Sequence, residues 1–352
     1  MEFDLDNLVI ARQDVAAQAR ARQRWNAIAK PIGSLGLLED AVVSIAGLVG
    51  SENVDISRRC LVVLCADNGV VAEGVSQCGQ EVTATVAASI AQGISSVCRM
   101  CAPVHIDCVG VDIGMVSHPD QPGLLSHRVA AGTANIAEGP AMTRDQALQA
   151  IGVGIELVGE LKSQGYQLIA TGEMGIGNTT TATAMACVFT GMSPEQLVGR
   201  GAGLSDEGLA RKRAVVARAL SVNQARADDP LDVLAKLGGL DIAGLVGLFL
   251  GGAVHRVPVV IDGAISVVAA YCASLMQPEC LAAMLPSHRS SEPIAGVLLD
   301  RMGLRPPIDA GLHLGEGTGA ACLVPLLDMA LSLYRSGTTF EQCGMEPYEV
   351  RP

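Results

Sequence analysis

The sequence CLVVLCADNG, residues 60–69, decides the fold class of this 352-residue chain. Its apolar run, residues 60–66, is typical of a β-strand buried on both faces, as the strands of a parallel sheet are. Asp67 follows at the carboxyl end of the strand, where open α/β sheets bind their ligands. The stretch therefore predicts an α/β protein with a parallel sheet and a binding site along one edge.

Two further stretches repeat the order of strand, acid and helix. Residues 104–111 lead to Asp112, and residues 257–261 lead to Asp262. Another strand, predicted at residues 167–171, runs into a glycine-rich turn. Repeated units of this kind indicate a parallel sheet flanked by helices. Helices are predicted over residues 14–29, 37–49, 82–92, 144–163, 238–254, 265–276 and 320–334.

The length of the chain suits two domains, or one large domain with a smaller appendage. The sequence contains no internal repeat, low-complexity linker or sharp break in composition. We therefore expect a large α/β domain over residues 58–300 and a small helical domain built from both ends of the chain, residues 1–57 and 301–352.

The charge and hydropathy patterns disfavour several kinds of partner. The net charge of −12 argues against nucleic acid and anionic membranes, because phosphate backbones are bound by clustered Lys and Arg. The uncharged apolar run at residues 242–254 is shorter than the roughly 20 residues that span a bilayer. Residues 1–6 are acidic and lack the positive region of a secretion signal. A cytoplasmic protein without membrane insertion is expected.

The 11 cysteines are scattered through apolar segments, a pattern that fits buried thiols in a reducing compartment. Cys98 and Cys101 have the spacing of a redox pair or of half a zinc site. Neither a second pair nor a suitably spaced His completes such a site, so ordinary helix-end cysteines are favoured. We expect neither a metal nor a cofactor.

Two glutamates lie in glycine-rich turns that precede helices. The turn Gly-Glu-Gly-Thr-Gly, residues 315–319, presents Glu316 on a backbone that a ligand can approach closely. From spacing alone, a helix-capping Glu and a functional Glu are equally good interpretations. Glu173 belongs to GEMGIGNTT, residues 172–180, whose layout favours anion binding although it matches neither G-x-G-x-x-G nor a P-loop.

The densest basic cluster is Arg211-Lys212-Arg213. Such a run is usually the solvated face of a helix, but one cation here could reach a phosphate held by neighbouring loops. His288 lies in a polar loop, where a lone His is more often a structural hydrogen-bonding residue than a catalytic one. Two glutamates, an anion cradle and one basic cluster suit a reaction at the anomeric carbon of a phosphorylated sugar.

Seven stretches, in order along nearly the whole chain, closely resemble the nicotinate-nucleotide–dimethylbenzimidazole phosphoribosyltransferase family. They are KPIGSLGLLE (30–39), CADNGVVAEGVS (65–76), GEMGIGNTT (172–180), GGLDIAGLVG (238–247), VPVVIDGAIS (257–266), SHRSSE (287–292) and LGEGTGAA (314–321). That family moves phosphoribose from nicotinate mononucleotide to 5,6-dimethylbenzimidazole, giving α-ribazole phosphate and nicotinate for the cobalamin nucleotide loop. The resemblance implies a Rossmann-like parallel sheet and a homodimer.

The resemblance also implies roles for individual residues. Glu316 would take the N–H proton of the base while the other ring nitrogen attacks C1′, and Glu173 would be a second acid near the ribose and the acceptor. The implied phosphate and ribose contacts are Gly175, Gly177, Asn178, Thr179, Gly203 and Lys212. The implied acceptor contacts are Ser76, Gln80, Met174, Ser290 and Leu314.

Two positions on the acceptor side depart from the family pattern. Asn68 stands where members commonly have His, and Gly79 where they commonly have Pro. Adenine, another benzimidazole or a phenol therefore stay open as acceptors, and with a phenol Glu316 would deprotonate the attacking hydroxyl. A non-catalytic nucleotide-binding subunit is a further alternative, against which the presence of both glutamates counts. An NAD-dependent dehydrogenase is disfavoured because no G-x-G-x-x-G follows the first strand.

Overall fold

A parallel sheet forms the centre of the computed structural model, which describes residues 5–118, 121–201 and 203–348. The strands of this sheet are β1 (Arg59–Ala66), β2 (Asp107–Gly114), β3 (Leu124–Ser126), β4 (Leu168–Met174), β5 (Val259–Ile261) and β6 (Met284–Pro286). They lie in the order β3-β2-β1-β4-β5-β6, and each neighbouring pair is parallel. This is the strand order of a Rossmann fold, so the predicted α/β class is confirmed.

Helices cover both faces of the sheet. They are α1 (Val15–Ala27), α2 (Leu37–Val49), α3 (Glu81–Ala91), α4 (Ser96–Cys101), α5 (Arg144–Ser163), α6 (Asn178–Thr190), α7 (Pro194–Leu197), α8 (Asp206–Asn223), α9 (Pro230–Leu237), α10 (Leu240–His255), α11 (Ala264–Met276), α12 (Pro293–Met302) and α13 (Thr318–Ser336). Alternate residues of β1 enter two different cores, Val62 and Leu64 on the side of α5 and α10, and Leu61 and Val63 on the side of α2 and α13. All of β1 is buried, as its apolar run predicts.

The two long helices α5 and α10 approach each other backbone to backbone. A Cβ atom on Gly247 would lie 2.1 Å from the carbonyl oxygen of Ile151, so only glycine allows this separation. Helix α10 packs against the sheet, and Asp241 in its first turn lies at the carboxyl edge of the strands. Although α10 is apolar, no helix within the described ranges is both long and apolar enough to cross a membrane.

Several strand boundaries differ from the sequence predictions. Asp112 lies inside β2 rather than after it, because its main chain pairs with Cys65 of β1 and Ser126 of β3. Its buried carboxylate accepts a hydrogen bond from Met115 N–H at 2.8 Å and pairs with His118. Glu173 likewise lies on β4, which continues to Met174. The short strands β3 and β6 were not predicted, because three residues give too little periodicity to recognise.

The two ends of the chain pack against each other. The rings of Trp25 and Tyr334 lie 4.9 Å apart, and Phe340 N–H donates to the carbonyl of Ala27 at 3.0 Å. Residues 1–4 and 349–352 of the predicted small domain lie outside the described residues. The helix α13 therefore connects the terminal segments to the sheet, since it also packs on β4.

Candidate active site

A cavity of about 340 Å³ opens at the carboxyl edge of the sheet. Ligands of Rossmann-type sheets bind at this edge, where the strand order reverses, here between β1 and β4. Most lining residues come from the loops after β1, β4, β5 and β6, from the loop between α7 and α8, and from the turn before α13. They lie within residues 75–77, 173–179, 200–201, 262–266, 288–292 and 313–318, and Leu204 and, on α3, Val82 and Val86 complete the lining. Most of the residues singled out in the sequence meet here.

Glu316 lines this cavity from the turn that begins α13. Its φ of +60° is a left-handed conformation that is strained for a residue other than glycine and is concentrated at functional sites. Gly317 follows with φ +95°, and a Cβ atom there would lie 2.9 Å from the carbonyl oxygen of Thr171. Glycine at this position thus lets the turn rest directly on β4.

The environment of the Glu316 carboxylate favours proton transfer. Burial raises its pKa, a hydrogen bond from Val97 N–H at 3.4 Å opposes the rise, and the negative charge of Asp262 adds to it. A carboxylate whose pKa moves towards neutrality accepts a proton more readily than an exposed one does. The side chain is half-buried, so it is still open to a ligand.

Glu173, which is half-buried and lines the cavity, forms a network with a buried amide and a second, buried acid. The Asn178 amide donates to Glu173 Oε2 and, at 2.9 Å, to Asp241 Oδ2. Burial, followed by the charge of Asp241, raises the pKa of Glu173 to about 8 despite the bond from Asn178. Burial raises the pKa of Asp241 to about 6. At neutral pH Glu173 is therefore mainly protonated and Asp241 mainly ionised.

Glu173→Gln should become more stable than the wild type as pH rises. The native state holds the Glu173 proton more tightly than the unfolded chain does, so this group lowers wild-type stability progressively between its ordinary pKa and about pH 8. Gln removes the titration. We expect the difference in Tm, variant minus wild type, to increase by about 2 °C or more between pH 5 and pH 9. Exposed Glu341→Gln is the control, and a difference that does not change with pH would contradict the assignment.

The turn between β4 and α6 forms the predicted anion cradle. Gly177 ends this turn with φ +96° and, as the N-cap residue of α6, has no side chain to cap the first turn. Such a helix N-terminus directs main-chain N–H groups at a bound anion. Gly175, Gly177, Asn178 and Thr179 all line the cavity.

Lys212 lies on α8 and contacts the anion cradle on the side away from the cavity. It is fully buried, and its Nζ donates to Thr179 Oγ1 at 2.8 Å and to the carbonyl of Gly199 at 3.3 Å. Burial lowers its pKa to about 8, and the charge of Glu292 acts in the opposite direction. Lys212 does not line the cavity, but it contacts Thr179, which does. The basic run is therefore not a uniformly solvated face.

Four of the five residues expected to contact the acceptor line the cavity. Ser76, Met174, Ser290 and Leu314 line the cavity, and Leu314 is 57% exposed at its rim. Gln80 is outside the lining, immediately before α3. The expected phosphate contact Gly203 is also outside the lining and is exposed, and its carbonyl accepts a hydrogen bond from Gln77.

Several residues that line the cavity are not among the predicted catalytic or binding residues, for example Arg200, His288, Glu292 and His313. Asp262 also lines it and was predicted only as an acid at the end of a strand. Glu292 Oε1 accepts a hydrogen bond from Gly201 N–H at 2.8 Å, so it shapes the loop beside the cradle. His288 is buried, with Ser287 Oγ 2.9 Å from its Nδ1. A usable signal existed for Asp241, which is the sole charged residue between Gly238 and Val254.

The two positions that depart from the family pattern do not line the cavity. Asn68 is fully buried below it, and a Cβ atom on Gly175 would lie 2.9 Å from Asn68 Nδ2. Gly79 lies beside the carboxylate of Glu81. Asn68 therefore acts on the floor of the cradle rather than on the acceptor loop. Among the described residues, no three His, Cys, Asp or Glu side chains are grouped so that they could hold a metal ion.

Known proteins similar to this chain are phosphoribosyltransferases. A family model described as "Phosphoribosyltransferase" matches residues 10–345. Proteins named nicotinate-nucleotide–dimethylbenzimidazole phosphoribosyltransferase are 44% identical in Acetivibrio thermocellus, covering 93% of each chain, and 40% identical in Clostridium acetobutylicum, covering 99% of each. The crystal structure of CobT from Thermus thermophilus matches with a TM-score of 0.89 and 38% identity, over 95% of this chain and 100% of that one.

Proposed function

The chain belongs to the phosphoribosyltransferase family whose model spans residues 10–345, and we propose that it transfers phosphoribose from nicotinate mononucleotide to 5,6-dimethylbenzimidazole. The products are α-ribazole 5′-phosphate and nicotinate, for the assembly of the cobalamin nucleotide loop. The observation that carries this proposal is that the Glu316 carboxylate and the anion cradle of α6 open into the same cavity.

Glu316 acts as the general base in this reaction. It accepts the N–H proton of the benzimidazole while the other ring nitrogen forms a bond to C1′ of the ribose. The C1′–N bond of the nucleotide breaks, and nicotinate leaves with the electron pair. Because its ring nitrogen is cationic in the nucleotide, nicotinate departs without needing a proton on that nitrogen. Attack from the opposite face converts the β linkage of the substrate to an α linkage.

The remaining site residues bind and orient the donor. The α6 N-terminus, with Thr179 and the buried cation of Lys212 behind it, accommodates the phosphate. The network of Glu173, Asn178 and Asp241 lies towards the ribose, and the ionised Asp241 favours the positive charge that develops at C1′. Gly203 joins the phosphate contacts only if its loop moves inwards.

The acceptor pocket is proposed to include Ser76, Met174, Ser290 and Leu314, with Gln80 at its margin. Val82, Val86, Met174 and Leu314 contribute apolar side chains to the lining of the same cavity, which suits a flat aromatic base. Adenine, another benzimidazole or a phenol would use the same carboxylate. Because Asn68 lies below the cradle, its difference from the family pattern bears on the donor side of the site rather than on the choice of base.

A product assay tests the proposal. Nicotinate mononucleotide is incubated with dimethylbenzimidazole, adenine or a phenol, and nicotinate release and α-ribotide formation are followed by chromatography. The proposed reaction predicts both products with dimethylbenzimidazole. Binding of the mononucleotide without product from any acceptor would instead support a non-catalytic nucleotide-binding subunit.

Three broader features belong to the same proposal. A homodimer is supported by the family resemblance alone. A small domain of residues 1–57 and 301–352, beside a large domain of residues 58–300, is supported by the contact between Trp25 and Tyr334. Sedimentation and limited proteolysis test these two features. A cytoplasmic location suits the soluble substrates.

A further inference from the structure

One buried carboxylate holds the turn that carries Glu316. Asp262 follows β5 and is 2% exposed. Its Oδ2 accepts a hydrogen bond from Gly317 N–H at 3.1 Å, and its Oδ1 accepts one from Ala320 N–H at 2.9 Å. Gly317 directly follows Glu316, and Ala320 lies in the first turn of α13. A single side chain thus binds the main chain at two points just beyond Glu316.

The backbone of Glu316 requires such a restraint. Its left-handed φ of +60° is sparsely populated by residues other than glycine, and it persists only where the surroundings hold it in place. The turn also rests on β4, since a Cβ atom on Gly172 would lie 2.4 Å from the carbonyl oxygen of Glu316. This contact prevents the turn from moving towards the sheet. The two hydrogen bonds to Asp262 hold the turn at the end of β5.

His288 supports the same turn from the β6 side. A Cβ atom on Gly319 would lie 2.0 Å from His288 Nδ1 and 3.0 Å from Asp262 Oδ1. The imidazole and the carboxylate therefore both contact the first turn of α13 at one glycine. Ser287 Oγ, 2.9 Å from Nδ1, orients the imidazole ring.

We propose that Asp262 is a positioning residue for the transfer reaction, which binds the main chain of the turn and thereby fixes the Glu316 carboxylate where it accepts the proton. This inference rests on the proposed function, since it takes Glu316 as the general base. Asp262 lines the cavity, but each of its carboxylate oxygens accepts a main-chain hydrogen bond, so its geometry favours holding the turn over contacting the ribose.

Asp262 also influences the charge state of Glu316, which gives the proposal a second readout. Its negative charge contributes to the raised pKa of Glu316. Glu173 on β4 and Cys108 on β2 also interact with Glu316. His288, Glu173 and Cys322 interact with Asp262 itself. Replacing Asp262 alone leaves these groups in place, so a change in the acid limb of the pH profile reports the loss of its charge.

The test compares two variants of Asp262 in the full-length protein. Asp262→Asn is expected to lower kcat by about 10- to 100-fold through misplacement of the base, and to change the KM for nicotinate mononucleotide by less than about 3-fold. The acid limb of kcat should move to lower pH. Asp262→Glu keeps the charge but displaces it by one methylene group, so kcat should fall while the acid limb stays where it is.

Asp112→Asn is the matched control, because Asp112 is also buried near a strand end and accepts a main-chain bond from Met115, but lies outside the cavity. It should retain wild-type kcat. Wild-type kcat in folded Asp262→Asn, or a change confined to the KM for the nucleotide, would overturn the proposal. If Asp262→Asn does not fold, wild-type kcat in Asp262→Glu would overturn it instead. Absence of product from the wild type would refute the proposed function itself.

Discussion

Glu316→Gln is expected to reduce kcat by about 10²- to 10⁴-fold, the usual contribution of a general base. The amide has nearly the shape of the carboxylate but cannot take the proton of the attacking base. Nicotinate mononucleotide should still bind, because the anion cradle belongs to α6 and Glu316 precedes α13. Steady-state kinetics together with calorimetric titration of the nucleotide would separate the two effects.

The pH profile strengthens this test. The wild type should lose activity as pH falls through the raised pKa of Glu316, because the protonated acid is no longer a base. The variant should lack this acid limb. Exposed Glu341→Gln, which removes the same charge away from the cavity, should behave like the wild type. Near-normal kcat in Glu316→Gln would remove Glu316 from the role of base.

Most of the fold could be predicted from patterns that lie within single segments. The helix predicted over residues 144–163 matches the observed bounds of α5, which begins at a capping box of Thr143 and Gln146, and the apolar run placed β1 to within one residue. Boundaries failed where tertiary contacts decided them. Asp112 remains inside β2 because its main chain pairs with Cys65 of β1 and Ser126 of β3, and pairing between strands could not be read from the order of residues.

The candidate site was predictable in its local motifs but not in its long-range contacts. The turns of Glu316 and Glu173 carry their own glycines, so each was visible in the sequence. The bonds from Gly317 and Ala320 to Asp262 join residues more than fifty positions apart and depend on β5 lying next to β4. The burial of Lys212 was equally hidden, since its neighbours on α8 are also basic.

Lys212→Met is expected to raise the KM for nicotinate mononucleotide by about 10- to 100-fold, because the buried cation behind Thr179 no longer attracts the phosphate. Methionine fills a similar volume without the cation, so the buried site is not emptied. The KM for the acceptor base should change by less than about 3-fold, because Lys212 contacts Thr179 in the cradle and not the acceptor side. Initial-rate kinetics with each substrate varied in turn would measure both constants.

The pH dependence of nucleotide binding in the wild type also tests whether the charge of Lys212 acts on the phosphate. Burial lowers the pKa of Lys212 to about 8, so its charge is present at neutral pH and is lost as pH rises through that value. Affinity for the nucleotide should therefore fall between pH 7 and pH 9.5 in the wild type and stay nearly constant in Lys212→Met, since the phosphate is already dianionic. Lys236→Met, in which a cation paired with Asp232 at 3.0 Å is removed outside the cavity, is the control. Equal increases in the KM for the mononucleotide and the KM for the acceptor base would show that Lys212 does not act on the phosphate. Its buried cation would then have a structural role.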